Sequence, residues 1–286
     1  MSGIDDWHTK YIRFWLVVKR QLALIRAIGF VTYKEWAAFR SHMLASLLVG
    51  PVLFLVQVFI WQAMFEGKET INGLTLPQML TYYGVATIIH YITFDFADWN
   101  LQMLVRSGKF VTFALRPLPH WVFALSQKLG HRSLALWVEV LPVALLFIFL
   151  FNVNLIPAAP GLAMVSIALS FLMSFFINYA VGLSAFWLVR AEGVRRVFLL
   201  LKDVSAGVFI PLTFFPEILQ KILFFLPFQF ITYLPTRVYI GEYELAGIRL
   251  TLVEAVGLQA LAVAVTGCLT LLLYRAALKR FTGVGV

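Results

Sequence analysis

The 286-residue chain contains one cysteine, Cys268. That excludes an internal disulfide and leaves a thiolate metal centre without ligands. The five histidines (His8, His42, His90, His120, His131) are scattered, and no His, Cys and carboxylate group has ligand spacing, so no metal is expected. There is no nucleophile elbow and no zinc-protease motif. A phosphate-binding loop, G-x-x-x-x-G-K-[ST], is also missing. The nearest fragments, Gly67-Lys68-Glu69 and Gly108-Lys109-Phe110, lack both the earlier glycine and the Ser/Thr. The chain is therefore not expected to hydrolyse nucleotide or to carry a cofactor of its own. Charge is scarce as well: Asp, Glu, Lys and Arg make up 13% of the residues, where a soluble domain carries about 25%.

What fills the chain is apolar sequence, 61% of all residues. Six stretches free or nearly free of charge stand out: Met43 to Phe65, about Leu80 to Phe96, Ser133 to Phe151, Gly161 to Val189, Val204 to Phe215, and about Val253 to Tyr274. A helix needs roughly 20 apolar residues to cross a bilayer core. Continuous runs without strict alternation argue against a barrel. The expected fold is an all-α integral membrane protein with six transmembrane helices, residues 43–286, behind a cytoplasmic helical region, residues 1–42. The fifth run is too short to cross alone, so 195–203 is expected to extend it as the cytoplasmic end, with Pro216 stopping it. The apolar piece Ile222 to Leu234 is interrupted by Pro227 and is read as re-entrant, within about 217–236.

Nineteen of the 23 Lys and Arg residues lie before the first run, between the second and third, between the fourth and fifth, or after the sixth. Only Lys68, Lys221, Arg237 and Arg249 occupy the alternate loops. This asymmetry places both termini in the cytoplasm. The net charge of +9 is thus mainly a topology signal, and a nucleic-acid surface is not expected. Residues 1–42 lack the clean apolar core of a signal peptide. Lys19, Arg20, Arg26 and Lys34 instead cluster on one side of a helix whose aromatics suit the headgroup layer, either as an interfacial amphipathic helix or as a soluble docking helix. Gly29 is expected to divide it.

Polar residues inside the runs are the next clue, because they are costly in lipid. Ser166, Ser170, Ser174, Asn178 and Gly182 recur every four residues and form one ridge, either a packing seam or a wall of a transport route. His90 and Asp95 fall in the second run and Glu139 in the third. A structural ion pair or hydrogen bond is favoured over proton relay for all three, with a basic residue of another span as the partner expected for Glu139. An integral membrane enzyme or a secondary transporter using these three residues is the alternative, but no inverted halves are detectable.

The order of elements resembles the six-span permease subunits of type-2 ABC exporters. Two stretches are close to one bacterial subfamily of uncharacterised permeases: Arg106-Ser-Gly-Lys-Phe-Val-Thr-Phe-Ala-Leu-Arg-Pro-Leu-Pro119, and Gly207-Val-Phe-Ile-Pro-Leu-Thr-Phe-Phe-Pro216 continuing to Tyr233-Leu-Pro-Thr-Arg237. The resemblance implies a multi-pass protein of the bacterial inner membrane, in contact with lipid. It also implies a second permease copy or sister permease, and a separate ABC ATPase subunit that brings ATP and Mg. The family's coupling element maps onto about 98–118; within it the loop's own cations Arg106, Lys109 and Arg116 are read either as docking residues or as simple topology determinants. Phe224 and Phe228, in the re-entrant piece, are read either as an apolar outer gate or as a passive lipid-facing anchor.

Overall fold

The structure is a computed structural model that describes residues 4–38, 40–116, 118–188 and 192–281. Helix α1 (Ile4–Ala38) runs unbroken through Gly29. The expected division is absent because Gly29 serves a crossing, not a break. A Cβ on Gly130 of the facing helix would lie 2.2 Å from the Gly29 carbonyl oxygen, so the two backbones touch. Helix α2 (Arg40–Met64) is the first apolar run and contains Pro51. Helix α3 (Leu76–Thr93) starts at a capping box in which the Thr75 N–H donates to Gln78. After a short break come α4 (Ala97–Arg106) and α5 (Val111–Ala114).

The third apolar run is longer than its uncharged core suggested. Helix α6 (His120–Ala135) passes through a π-helical turn, Leu136–Val140, into α7 (Leu141–Phe151), making one helical body from His120 to Phe151. Lys128 and Arg132, expected in a loop, lie inside it and are buried. Helix α8 (Pro160–Leu183) follows.

The fifth run differs most from expectation. Helix α9 (Glu192–Ser205) ends where the apolar stretch begins, so Val204 to Phe215 is not a helical span. Gly207 takes a left-handed φ of +76°, and Pro211 cannot donate to a helix ladder. The freed carbonyls find other donors. The Tyr82 hydroxyl donates to Gly207 O at 2.8 Å, Tyr83 to Phe209 O at 2.9 Å, and the Tyr233 N–H to Ala206 O at 2.9 Å. Irregular backbone survives among membrane helices only where protein satisfies it in this way.

The chain then folds through α10 (Glu217–Phe225), a 3-10 turn (Pro227–Phe230) and α11 (Tyr233–Ile240). No helix continues across Pro227. A hairpin missed in the sequence follows: β1 (Tyr243–Leu245) and β2 (Ile248–Leu250) pair antiparallel, with Tyr243 opposite Leu250. Its two-residue turn has positive φ at both Ala246 and Gly247, the geometry that matches strand twist. Helix α12 (Leu252–Arg280) closes the fold from a second capping box at Thr251 and Glu254.

Among the described residues, four helices are long and apolar enough to cross a bilayer: Ala45–Met64, His120–Phe151, Pro160–Phe186 and Leu252–Arg280. The protein is thus a multi-pass, essentially helical membrane protein. Helix α3, with 18 residues that include three tyrosines and His90, and α9, with 14, fall short of that measure. One core joins α2, α3, α7, α8 and the 206–256 region around Phe54, Tyr82, Phe147, Met173 and Tyr233. A second joins α4, α8 and α12 around Leu101, Phe175 and Tyr179.

Candidate functional site

Helix α2 is opened by its own sequence. Pro51 has no N–H, so the Leu47 carbonyl has no helical donor. Tyr91 of α3 fills the gap: its hydroxyl accepts from the Gly50 N–H at 2.8 Å and donates toward Ser46 O and Leu47 O at 3.0 and 3.1 Å. Only glycine fits at position 50, since a Cβ there would lie 2.4 Å from the tyrosine ring.

Beside this junction lies a ladder of buried charges. Asp95, in the break between α3 and α4, accepts from the Ala97 N–H at 2.9 Å and from Lys128 Nζ at 2.8 Å. Both side chains of that pair are 2% exposed. Lys128 also donates to Phe171 O of α8 at 2.9 Å and stands 4.2 Å from the Phe171 ring centre. One turn further along α6, Arg132 donates to Tyr91 O at 2.6 Å and to Glu139 at 3.2 Å. The Glu139 carboxylate sits in the π turn and accepts from the Ser46 hydroxyl of α2. Asp95 and Glu139 are therefore each held by a cation, both from α6. For Glu139 that cation comes from its own helix, not from another span. The sequence carried a signal for this arrangement: Lys128, Arg132 and Glu139 recur at spacings of four and seven, one helical face, directly before an apolar run.

A cavity of about 350 Å³ opens against this ladder, between α1, α2, α3, α6 and the end of α9. Val49, Leu53, Phe54, Tyr83, Phe94 and Phe209 supply its apolar and aromatic walls, while Arg132, Glu139, His90 and Asp203 gather polar character. A second cavity of about 50 Å³ touches Thr32, Asp95, Asn100, Gln127 and Lys128. Among the described residues, no group of three or more His, Cys, Asp or Glu could hold a metal ion.

The ridge of α8 faces protein along its whole length. The Ser166 hydroxyl donates to Gln259 at 2.7 Å, Ser170 to Ile231 O, and Ser174 to Thr93 O at 2.9 Å. Asn178 accepts from Lys202 at 3.2 Å, and Gly182 lies against Asp98. None of these five residues lines either cavity. Phe228 packs on Phe198 of α9, with ring centres 5.8 Å apart, and the carbonyl of Phe224 accepts from Gln229 at 2.6 Å. Tyr243 of the hairpin donates to Gln229 at 2.7 Å, and burial pushes its hydroxyl pKa up.

The α4–α5 segment is clamped to α9. Arg195 pairs with Asp98, whose side chain is 2% exposed, and Arg106 reaches Glu192 at 3.3 Å. Lys109 is exposed, and Arg116 stacks 4.3 Å from the Phe113 ring centre. The three candidate docking residues thus share one segment but differ in setting.

No curated protein and no solved structure matches this chain. A sequence model of the family described as "ABC-2 family transporter protein" matches residues 52–285, from the middle of α2 through α12. That span is most of the chain and takes in all or most of each of the four bilayer-length helices: the chain belongs to the ABC-2 transporter family of membrane proteins.

Proposed function

We propose that this chain is the permease subunit of an ATP-driven exporter. A separate ABC ATPase, with its ATP and Mg, supplies the work, and a second permease copy or a sister permease completes the path. Family membership supports the permease role. The lack of a phosphate-binding loop in the sequence supports a separate subunit for hydrolysis. The uneven distribution of Lys and Arg supports a bacterial inner-membrane topology with both termini cytoplasmic.

The observation that carries the mechanism is the clamp between α4 and α9. Asp98–Arg195 and Arg106–Glu192 bind the segment that would meet the ATPase to a helix whose far end carries Asp203, a wall residue of the larger cavity. A push on the α4–α5 segment is thereby passed through α9 to the cavity. The buried member of the clamp dominates. Arg106–Glu192 is exposed and contributes at most about 1 kcal/mol. Closure and release by nucleotide would shift the bundle between two packings.

The test is co-expression and co-purification with a candidate ABC ATPase subunit. The pair should hydrolyse ATP and the chain alone should not. Reversing Arg106, Lys109 and Arg116 to Glu should weaken association while insertion stays correct. Breaking the clamp with Arg195→Gln should leave association intact and lower transport per ATP hydrolysed. Hydrolysis that follows this chain through purification without any ATPase would overturn the assignment.

A further inference from the structure

The two cavities share one wall. Trp36, Phe96 and His131 line both of them. Each ring comes from a different element: Trp36 from α1, Phe96 from the α3–α4 break, and His131 from α6. Trp36 stacks nearly parallel on Phe96, with centres 5.8 Å apart and planes 6° apart, and lies 4.0 Å from His131. Phe96 and His131 close the triangle at 5.6 Å. His131 is itself held by Arg132 Nη2 at 2.9 Å. The result is an aromatic septum with space on both faces. One side is the apolar chamber. The other is a polar pocket large enough for water, since one water needs roughly 10–15 Å³ of such volume.

Trp36 is the ring that the N-terminal helix contributes, and it also packs against Leu134 and Ala135 of α6. Helix α1 rests chiefly on α6, and their closest approach is the Gly29–Gly130 backbone contact. Two glycines meeting there have no side chains to interlock. The crossing lies about two turns, roughly 10 Å, from Trp36 along α1. A rock of α1 about that point would displace the indole.

We propose that Trp36 is the inner gate of the chamber: it closes a route that runs from the cytoplasmic side, through the polar pocket of Asp95, Lys128, Asn100 and Gln127, into the aromatic cavity. The N-terminal helix is then a moving part of the transporter. The inference rests on the permease reading, because it treats the cavity as a compartment that molecules enter. Access can be measured without cargo or ATPase, so failure of the gate and failure of the ATPase assignment are read separately.

The experiment uses the full chain with Cys268→Ser and a reporter cysteine in the chamber, Thr87→Cys. Inverted membrane vesicles, which expose the cytoplasmic side, are treated with a membrane-impermeant methanethiosulfonate. Trp36→Ala and, independently, Phe96→Ala should each speed reaction at position 87 about tenfold, the shift toward an open septum that the lost ring contacts allow. Trp36→Phe should react at the parent rate. A second reporter, Ser107→Cys on the exposed turn after α4, should react equally in all backgrounds and verifies that the variants are folded and inserted. Unchanged reaction at position 87 in both alanine variants would overturn the gate. So would fast reaction with Trp36 in place, or faster labelling from the outer side of intact cells than from inverted vesicles.

Discussion

Replacing Lys128 with Met tests what holds the bundle at its charged level. In the native protein the Lys128 ammonium and the Asp95 carboxylate sit 2.8 Å apart at 2% exposure each. Removing the cation strands a carboxylate that is almost wholly enclosed by protein. Breaking a buried pair from one side costs about 3–5 kcal/mol. The ammonium also bonds to Phe171 O, so the cost belongs at the upper end. At roughly 2–4 °C per kcal/mol for a chain of this size, an upper-end cost of about 4–5 kcal/mol should lower the Tm by about 8–20 °C. The double variant Asp95→Asn/Lys128→Met removes both charges, yet Asn keeps an acceptor for the Ala97 N–H that Asp95 now caps. It should recover most of the loss and stand within about 1–2 kcal/mol of the parent. The assay is thermal unfolding in detergent, followed by the fraction that remains monodisperse, with transport measured alongside. A double variant as unstable as the single would refute the pairing argument. A stable double variant that has lost transport would assign the pair a direct role in moving cargo or protons.

Gly130→Ala should cost about 1–3 kcal/mol because the new Cβ meets backbone, 2.2 Å from Gly29 O, whereas Gly29→Ala finds its nearest atom at 3.4 Å and should be nearly neutral; thermal unfolding of the two variants compares them directly. Gln259→Leu removes the acceptor for Ser166 and two donors, to Ser166 O and Phe230 O, and should lower stability by roughly 2–4 kcal/mol; equal stability of the variant would show that water replaces the amide there. In the Cys268→Ser background, an impermeant thiol reagent on intact cells should label Glu69→Cys and spare Ser107→Cys, and the reverse pattern would invert the topology.

The helical class and the first span were legible in the sequence, because each rests on local chemistry: long uncharged apolar runs. The broken piece between Pro216 and Pro235 was legible for the same reason, since proline acts on its own turn. Lys128 and Arg132 were misplaced because charge was read as a boundary. Their burial depends on Asp95 and Glu139, and the Asp95 contact is made across more than thirty residues. Val204 to Phe215 misled in the opposite direction. Its composition suits a span, but the hydroxyls of Tyr82 and Tyr83 and the backbone of Tyr233 stabilise an irregular path that no local rule signals. The hairpin hides in the Ala246-Gly247 pair, where alanine takes a φ that sequence rules reserve for glycine or asparagine. The cavities and their shared wall require three separate elements at once and have no one-dimensional signature.

The π turn at Leu136–Val140 makes chain length negotiable at one place in the third span. A helix of this kind absorbs one residue more than regular α geometry requires. Losing a residue from that turn, other than Glu139, would return the body from His120 to Phe151 to continuous α-helix and leave both flanks facing as they do now. The same deletion one turn earlier or later would swing one flank by about 100°, carrying Lys128 and Arg132, or Val143 and Phe147, away from their contacts. Single-residue length variation in this segment should therefore be accommodated at residues 136–140 and rejected on either side.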